Sequence, residues 1–107
     1  MNEDCIFCRI LEGELPSHKV YEDQWAMAFM DTSPVSDGHV LVITRTHYED
    51  IFEATPESLA AISGVVAKIA KAIKVVLNPD GLTVAQLNGA AAGQTVIHYH
   101  TPLIPRR

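Results

Sequence analysis

The sequence is short of basic residues, of cysteine and of long apolar runs, and each shortage excludes something. Lys and Arg number 8 against 13 Asp and Glu, a formal charge of −5, so no broad basic surface is on offer to nucleic acid. A small anion is still within reach, because backbone N–H groups and a few imidazoles can hold a phosphate on an acidic protein. No apolar stretch approaches the ~20 residues that span a membrane. The start, Met1-Asn2-Glu3-Asp4, lacks the basic-then-apolar order of a signal peptide, so the expected location is the cytoplasm. Only two cysteines occur, Cys5 and Cys8. In a reducing compartment such a C-x-x-C pair reads as metal or redox chemistry, not as a structural disulfide. Repeats, low-complexity tracts and linker-like stretches are missing too, which predicts a single domain over residues 1–107 with one hydrophobic core.

What is present has a mixed periodicity. Ile6, Phe7, Ile10 and Leu11 fall at helical spacing before Gly13, predicting a short helix over 6–12. Strands are expected at 20–21, 25–30 and 39–44, the last a β-branched run. The Asp/Thr/Ser/Pro/Gly-rich 31–38 between them reads as a loop. Thr55 can cap a long helix, with Pro56 at its first position and Glu57 near its positive end. Leu59, Ile62, Val66, Ile69, Ile73 and Val76 make its apolar stripe, with Lys68, Lys71 and Lys74 off it. Asn78-Pro79-Asp80-Gly81 ends that helix. Further strands are expected at 82–87 and 96–104, around a small-residue loop at 88–93. Strands grouped before and after one long helix, without βαβ alternation, indicate an α+β domain with a mostly antiparallel five-stranded sheet. The helix covers one face and leaves the other for a ligand or a partner.

Two imidazoles carry the chemistry. His98 and His100, two apart in an expected strand, leave one face together, and such a pair serves metal binding, nucleophilic attack or proton transfer. Cys5 and Cys8 have the spacing of half a tetrahedral zinc site. His47, His98 and His100 are the candidate further ligands by residue type, with His18 and His39 weaker. An alternative leaves the cysteines as small buried residues around Ile6-Phe7; a thioredoxin-like role lacks the preceding βαβ pattern. The loop Asn88-Gly89-Ala90-Ala91-Ala92-Gly93-Gln94-Thr95 pairs small residues with non-titrating donors, in the manner of a phosphate cradle. It is no Walker loop, lacking Gly-Lys-Ser/Thr and leading into a strand. A neutral imidazole beside such a loop can attack phosphorus and form a phospho-histidine that water cleaves. His100 could be that nucleophile. Pro102, next in line on the same face, has no side-chain donor and no N–H, which predicts an edge strand or a bulge there.

Taken together, Cys5-Ile6-Phe7-Cys8, Ala28-Phe29-Met30-Asp31, Gly38-His39-Val40-Leu41-Val42-Ile43 ending at His47, Gly93-Gln94-Thr95-Val96, the His-x-His pair and Ile104-Pro105-Arg106 resemble the histidine triad (HIT) family along essentially the whole chain. The resemblance implies a dimer formed through the long helix and the sheet edges. It implies a hydrolase or transferase acting on a purine nucleotide or a nucleoside phosphoramidate. His100 falls at the nucleophile; Cys5, Cys8, His47 and His98 fall at zinc ligands. Asp31 falls at the ribose contact, Asn88, Gly93, Gln94 and Thr95 at the nucleotide phosphate, and Phe7, Ile10 and Phe29 at the base. In many relatives a tail beyond the position of Arg107 helps to close the site. The departure is Pro102, which stands where the third triad histidine belongs.

Overall fold

The computed structural model describes residues 4–107; residues 1–3 of the acidic start lie outside the described residues. A short helix α1 (Ile6–Leu11) leads into strands β1 (Lys19–Glu22), β2 (Ala26–Met30) and β3 (Val40–Thr44). The long helix α2 (Pro56–Leu77), strand β4 (Gly81–Val84), a 3-10 turn (Ala90–Ala92) and strand β5 (His100–Arg106) follow. The five strands form one sheet in the order β1-β2-β3-β5-β4, every neighbouring pair antiparallel. This is the expected α+β architecture.

Helix α2 is capped at both ends. The Thr55 side chain accepts from the Ser58 N–H, and Asn78, left-handed at φ 44°, returns its N–H to the Lys74 carbonyl. Its buried face differs from the predicted stripe. Ile62, Val65, Ile69 and Ile73 are buried while Leu59 and Val66 are only partly covered, and Val76 is 78% exposed. Ser58, Ile62, Val65, Ile69 and Ile73 keep the three-and-four spacing of one helical face, set slightly aside from the predicted one.

A single core is also corrected. The sheet separates two, since strand residues alternate faces. Ala26, Ala28, Val40, Val42 and Leu103 pack against α2. Met27, Phe29, Leu41 and Ile43 pack on the other face against Phe7 and the cysteines of α1. The face left open by α2 is thus largely filled by α1, and what is not filled is a cleft.

The last strand begins four residues later than expected, at His100, and the fourth ends at Val84. Residues 96–98 are a bend closed by His98 N–H to the Val96 carbonyl. His98 and His100 are therefore not strand mates. Nor is β5 an edge: it lies between β3 and β4, in an unbroken register with β3. Proline is tolerated because of where the neighbours stop. The Pro102 carbonyl accepts from Ala85, one residue past the end of β4. The missing N–H faces that same side, since a strand residue's N–H and C=O point together. Pro105 repeats the solution on the other side, its carbonyl taken by the Ser36 hydroxyl at 2.7 Å.

Candidate active site and metal centre

Cys5 is the N-cap of α1, its sulfur accepting from the Cys8 N–H at 3.4 Å. That cap places both sulfurs on one turn. His47 arrives from the segment after β3 and His98 from the bend before β5. Cys5 Sγ lies 3.2 Å from His98 Nδ1, Cys8 Sγ 3.2 Å from His47 Nδ1, and the two Nδ1 atoms are 3.1 Å apart. All four donors fall within 4.8 Å of one another. Zinc bonds of about 2.0–2.3 Å put tetrahedral donors about 3.3–3.8 Å apart, close to these separations.

The protonation pattern fits a cation as well. His98 Nε2 lies 2.7 Å from the Thr44 carbonyl, so it carries the hydrogen and leaves Nδ1 as a lone pair aimed at the cluster. Burial pushes His98 down to about 4, and the nearby His47 and His100 add to that against the Thr44 bond. It is therefore neutral at pH 7, as a ligand must be. Two imidazole nitrogens 3.1 Å apart call for a shared cation or proton. Soft thiolates with imidazoles are the donor set zinc prefers.

His100 opens β5 opposite Ile43. Its Nδ1 is 2.7 Å from the His98 carbonyl, so Nδ1–H donates and Nε2 is left bare. Burial holds His100 below its ordinary value, opposed by the His98 carbonyl and by the charge of Asp31. The Phe7 ring meets it edge-on at 5.1 Å. His100 lines a cleft of about 560 Å³ whose wall includes Phe7, Ile10, Phe29, Asp31, Ser33 and Thr95. Asp31 at the mouth accepts the Ser33 N–H on Oδ1 at 2.9 Å.

Of the residues expected to contact a nucleotide, Asp31, Thr95, Phe7, Ile10 and Phe29 thus share one cleft with His100. Asn88, Gly93 and Gln94 are not in its wall. The Gln94 side chain is buried and spent on the backbone, donating to the Glu49 and Val96 carbonyls and accepting from Gly89 N–H. Asn88 Oδ1 takes the Ile51 N–H at 2.7 Å, and its amide pairs with Gln86. Gly93 supplies φ 97° to close the 3-10 turn, a conformation that favours glycine. These three set the path of the loop that brings Thr95 to the cleft.

One residue was missed. His39, ranked among the weaker histidines from sequence, is 6% exposed and its ring stands beside Asp31, Nε2 3.5 Å from Oδ2. Its partners come from across the 31–38 loop, which no local pattern reports. His18 joins none of these groups through its side chain among the described residues; its carbonyl accepts from Met30.

Comparison with known proteins agrees with this geometry. Residues 12–107 match the HIT domain. A HIT family protein from Bacillus anthracis has a similar structure, with a TM-score of 0.95 and 50% identity over 99% of this chain and 75% of that one. A Zn-bound histidine triad family protein from Mycobacterium smegmatis gives a TM-score of 0.91 and 39% identity over 96% of this chain and 75% of that one. The adenylylsulfatase HINT3 of Arabidopsis thaliana is 40% identical over 107 residues, which is 100% of this chain and 54% of that protein. With a domain match covering most of its length and identities well above what chance allows, the chain belongs to the HIT family.

Proposed function

We propose that this chain binds a purine nucleotide in the cleft and hydrolyses or transfers its nucleoside monophosphate, cleaving a phosphoramidate or phosphoanhydride bond. The observation that carries the reading is the bond from His100 Nδ1–H to the His98 carbonyl. It fixes the tautomer in which Nε2 is the nucleophile, and burial keeps that ring neutral at pH 7. In the first step Nε2 forms a bond to phosphorus as the P–N or P–O bond to the leaving group breaks, and the leaving group takes a proton from water. In the second, water attacks phosphorus, the Nε2–P bond breaks, and the proton the water gives up neutralises the hydroxide left by the first step, so the nucleoside monophosphate leaves with neutral His100 restored. Asp31 accepts from the ribose, Thr95 presents its donors to the phosphate from the end of the loop that Asn88, Gly93 and Gln94 shape, and Phe7, Ile10 and Phe29 enclose the base. The adenylylsulfatase relative supports a hydrolase of this class.

In the same reading Cys5, Cys8, His47 and His98 hold zinc, which ties α1 to the sheet. The domain spans residues 1–107 and pairs as a homodimer through α2 and the sheet. The same reading places the chain in the cytoplasm; no helix among the described residues is long and apolar enough to cross a membrane. A second reading rests on Pro102. It offers no donor where the third triad histidine would stand, so the chain would be a nucleotide- and zinc-binding module of little turnover. Hydrolysis of an adenosine phosphoramidate decides between them. The enzyme reading expects turnover that His100→Ala abolishes, with a nucleotidyl adduct on His100 in the quenched reaction by mass spectrometry. Turnover no higher than that of His100→Ala leaves only the binding module.

A further inference from the structure

His39 is buried, yet its Nε2 has no hydrogen-bond partner. The other ring nitrogen explains which atom carries the proton. Nδ1 accepts the Val35 N–H at 3.1 Å, so the ring is in the Nε2–H tautomer. The Asp31 carboxylate stands beside that nitrogen, with 3.5 Å to Oδ2, beyond ordinary hydrogen-bond length. A buried donor left unmet is costly to keep, and few native groups are left so.

The far side of Asp31 is occupied as well. Oδ1 takes the Ser33 N–H at 2.9 Å, so the loop backbone holds one oxygen while His39 stands beside the other. A carboxylate has about four acceptor positions. With one used by Ser33 and one beside His39, those left over are available to a ligand in the cleft that Asp31 lines. Two acceptor positions on one carboxylate match a vicinal diol. His39 does not itself line the cleft, so any influence on a ligand passes through Asp31.

We propose that His39 is a positioning residue: its Nε2–H orients the Asp31 carboxylate to accept a ribose diol, making the cleft selective for ribonucleotides over 2′-deoxyribonucleotides. The inference rests on the reading of the cleft as a nucleotide site with Asp31 at the ribose. Bound ligand draws the carboxylate into line, and the unmet His39 donor closes on Oδ2 as it does so.

The test is the ratio of dissociation constants for AMP and 2′-deoxy-AMP, measured by calorimetry on the full chain with its metal, beside thermal melts. His39→Asn retains an acceptor for Val35 N–H but cannot reach Asp31. His39→Gln places an amide nitrogen near the position of Nε2. A charge-assisted bond of this kind is worth about tenfold in affinity. His39→Asn is expected to weaken AMP by about that factor and leave 2′-deoxy-AMP unchanged, while His39→Gln recovers much of the ratio. Asp31→Asn is the control and should lose selectivity in full. An unchanged ratio in His39→Asn, with selectivity lost in Asp31→Asn, overturns the role of His39 alone. An unchanged ratio in both variants, or no binding of AMP by the wild-type chain, overturns that role together with the ribose reading beneath it.

Discussion

Replacing Pro102 by histidine is the perturbation that bears most directly on the proposed chemistry. Pro102 is two residues beyond His100 on the same face of β5, opposite Leu41, so its Cα is about 6.6 Å along the strand from that of His100. The proline puts no donor there. One well-aimed donor to developing transition-state charge is worth about 100- to 1000-fold in rate, or about 2.7–4 kcal/mol, and Pro102→His should gain a factor in that range. The fold should barely notice. Histidine regains the N–H that can complete the pair with Ala85, whose own N–H already reaches the Pro102 carbonyl at 3.2 Å. One such bond adds about 0.5–1.5 kcal/mol, whereas the freedom of the unfolded chain released by removing proline costs about 0.4–1 kcal/mol. The two nearly cancel, so a rate change cannot be a disguised stability change. The assay is kcat/KM on an adenosine phosphoramidate for the wild type, Pro102→His and the double variant Pro102→His/His100→Ala, with melting curves for each. A folded Pro102→His that binds AMP but turns over no faster than wild type would refute the argument that position 102 lacks a donor.

Two other outcomes follow from the geometry. At a metal concentration a hundredfold above its dissociation constant, binding contributes about 2.7 kcal/mol. At about 4–8 °C per kcal/mol for a domain near this size, chelation should lower Tm by about 10–20 °C; zinc should restore it, and Cys8→Ala should show no response. Identical melts with and without chelator would sink the metal assignment. At the β1–β2 turn, partial burial raises the Asp23 carboxyl, but bonds from the Tyr21 hydroxyl and the Trp25 and Ala26 N–H groups outweigh it and hold it below its ordinary 3.8. A group depressed on folding stabilises above its unfolded value and loses that contribution as pH falls through its folded value. Denaturant melts should therefore show wild type more stable than Asp23→Asn at pH 7, with the gap shrinking below pH 3.8; a gap independent of pH would contradict the sign.

The fold and most of the candidate site could be read from the sequence because their determinants are local. Thr55, Pro56 and Asn78 mark the ends of α2 within one turn of it. The Cys5–Cys8 spacing is itself the geometry of a capped helical turn, which is why the pair reads as half a metal site before any fold is known. Residues whose roles depend on distant chain were misread or missed. Pro102 looked like an edge because its sequence cannot say that β4 stops one residue short of it. What the sequence could not supply for Gln94 and Asn88 is their partners inside the fold, the Glu49 carbonyl and the Ile51 N–H, which lie about forty residues away.

The histidine pair is the most instructive case. Alternation along a strand gave it one shared face, but the chain is tied at Tyr99, whose N–H reaches the Tyr48 carbonyl and whose carbonyl takes the Thr44 N–H. Those bonds anchor the bend in which His98 sits, and they turn its ring back towards Cys5 and Cys8. The same residue still reaches His100, through its carbonyl instead of through a common face. The ring of His98 belongs to the four-donor cluster while its carbonyl holds His100 Nδ1 at 2.7 Å. Whatever fixes that ring also fixes the carbonyl on which the tautomer of His100 depends. The two histidines are therefore coupled by one residue's backbone, and the proposed metal centre and the proposed nucleophile share a scaffold without sharing a ligand.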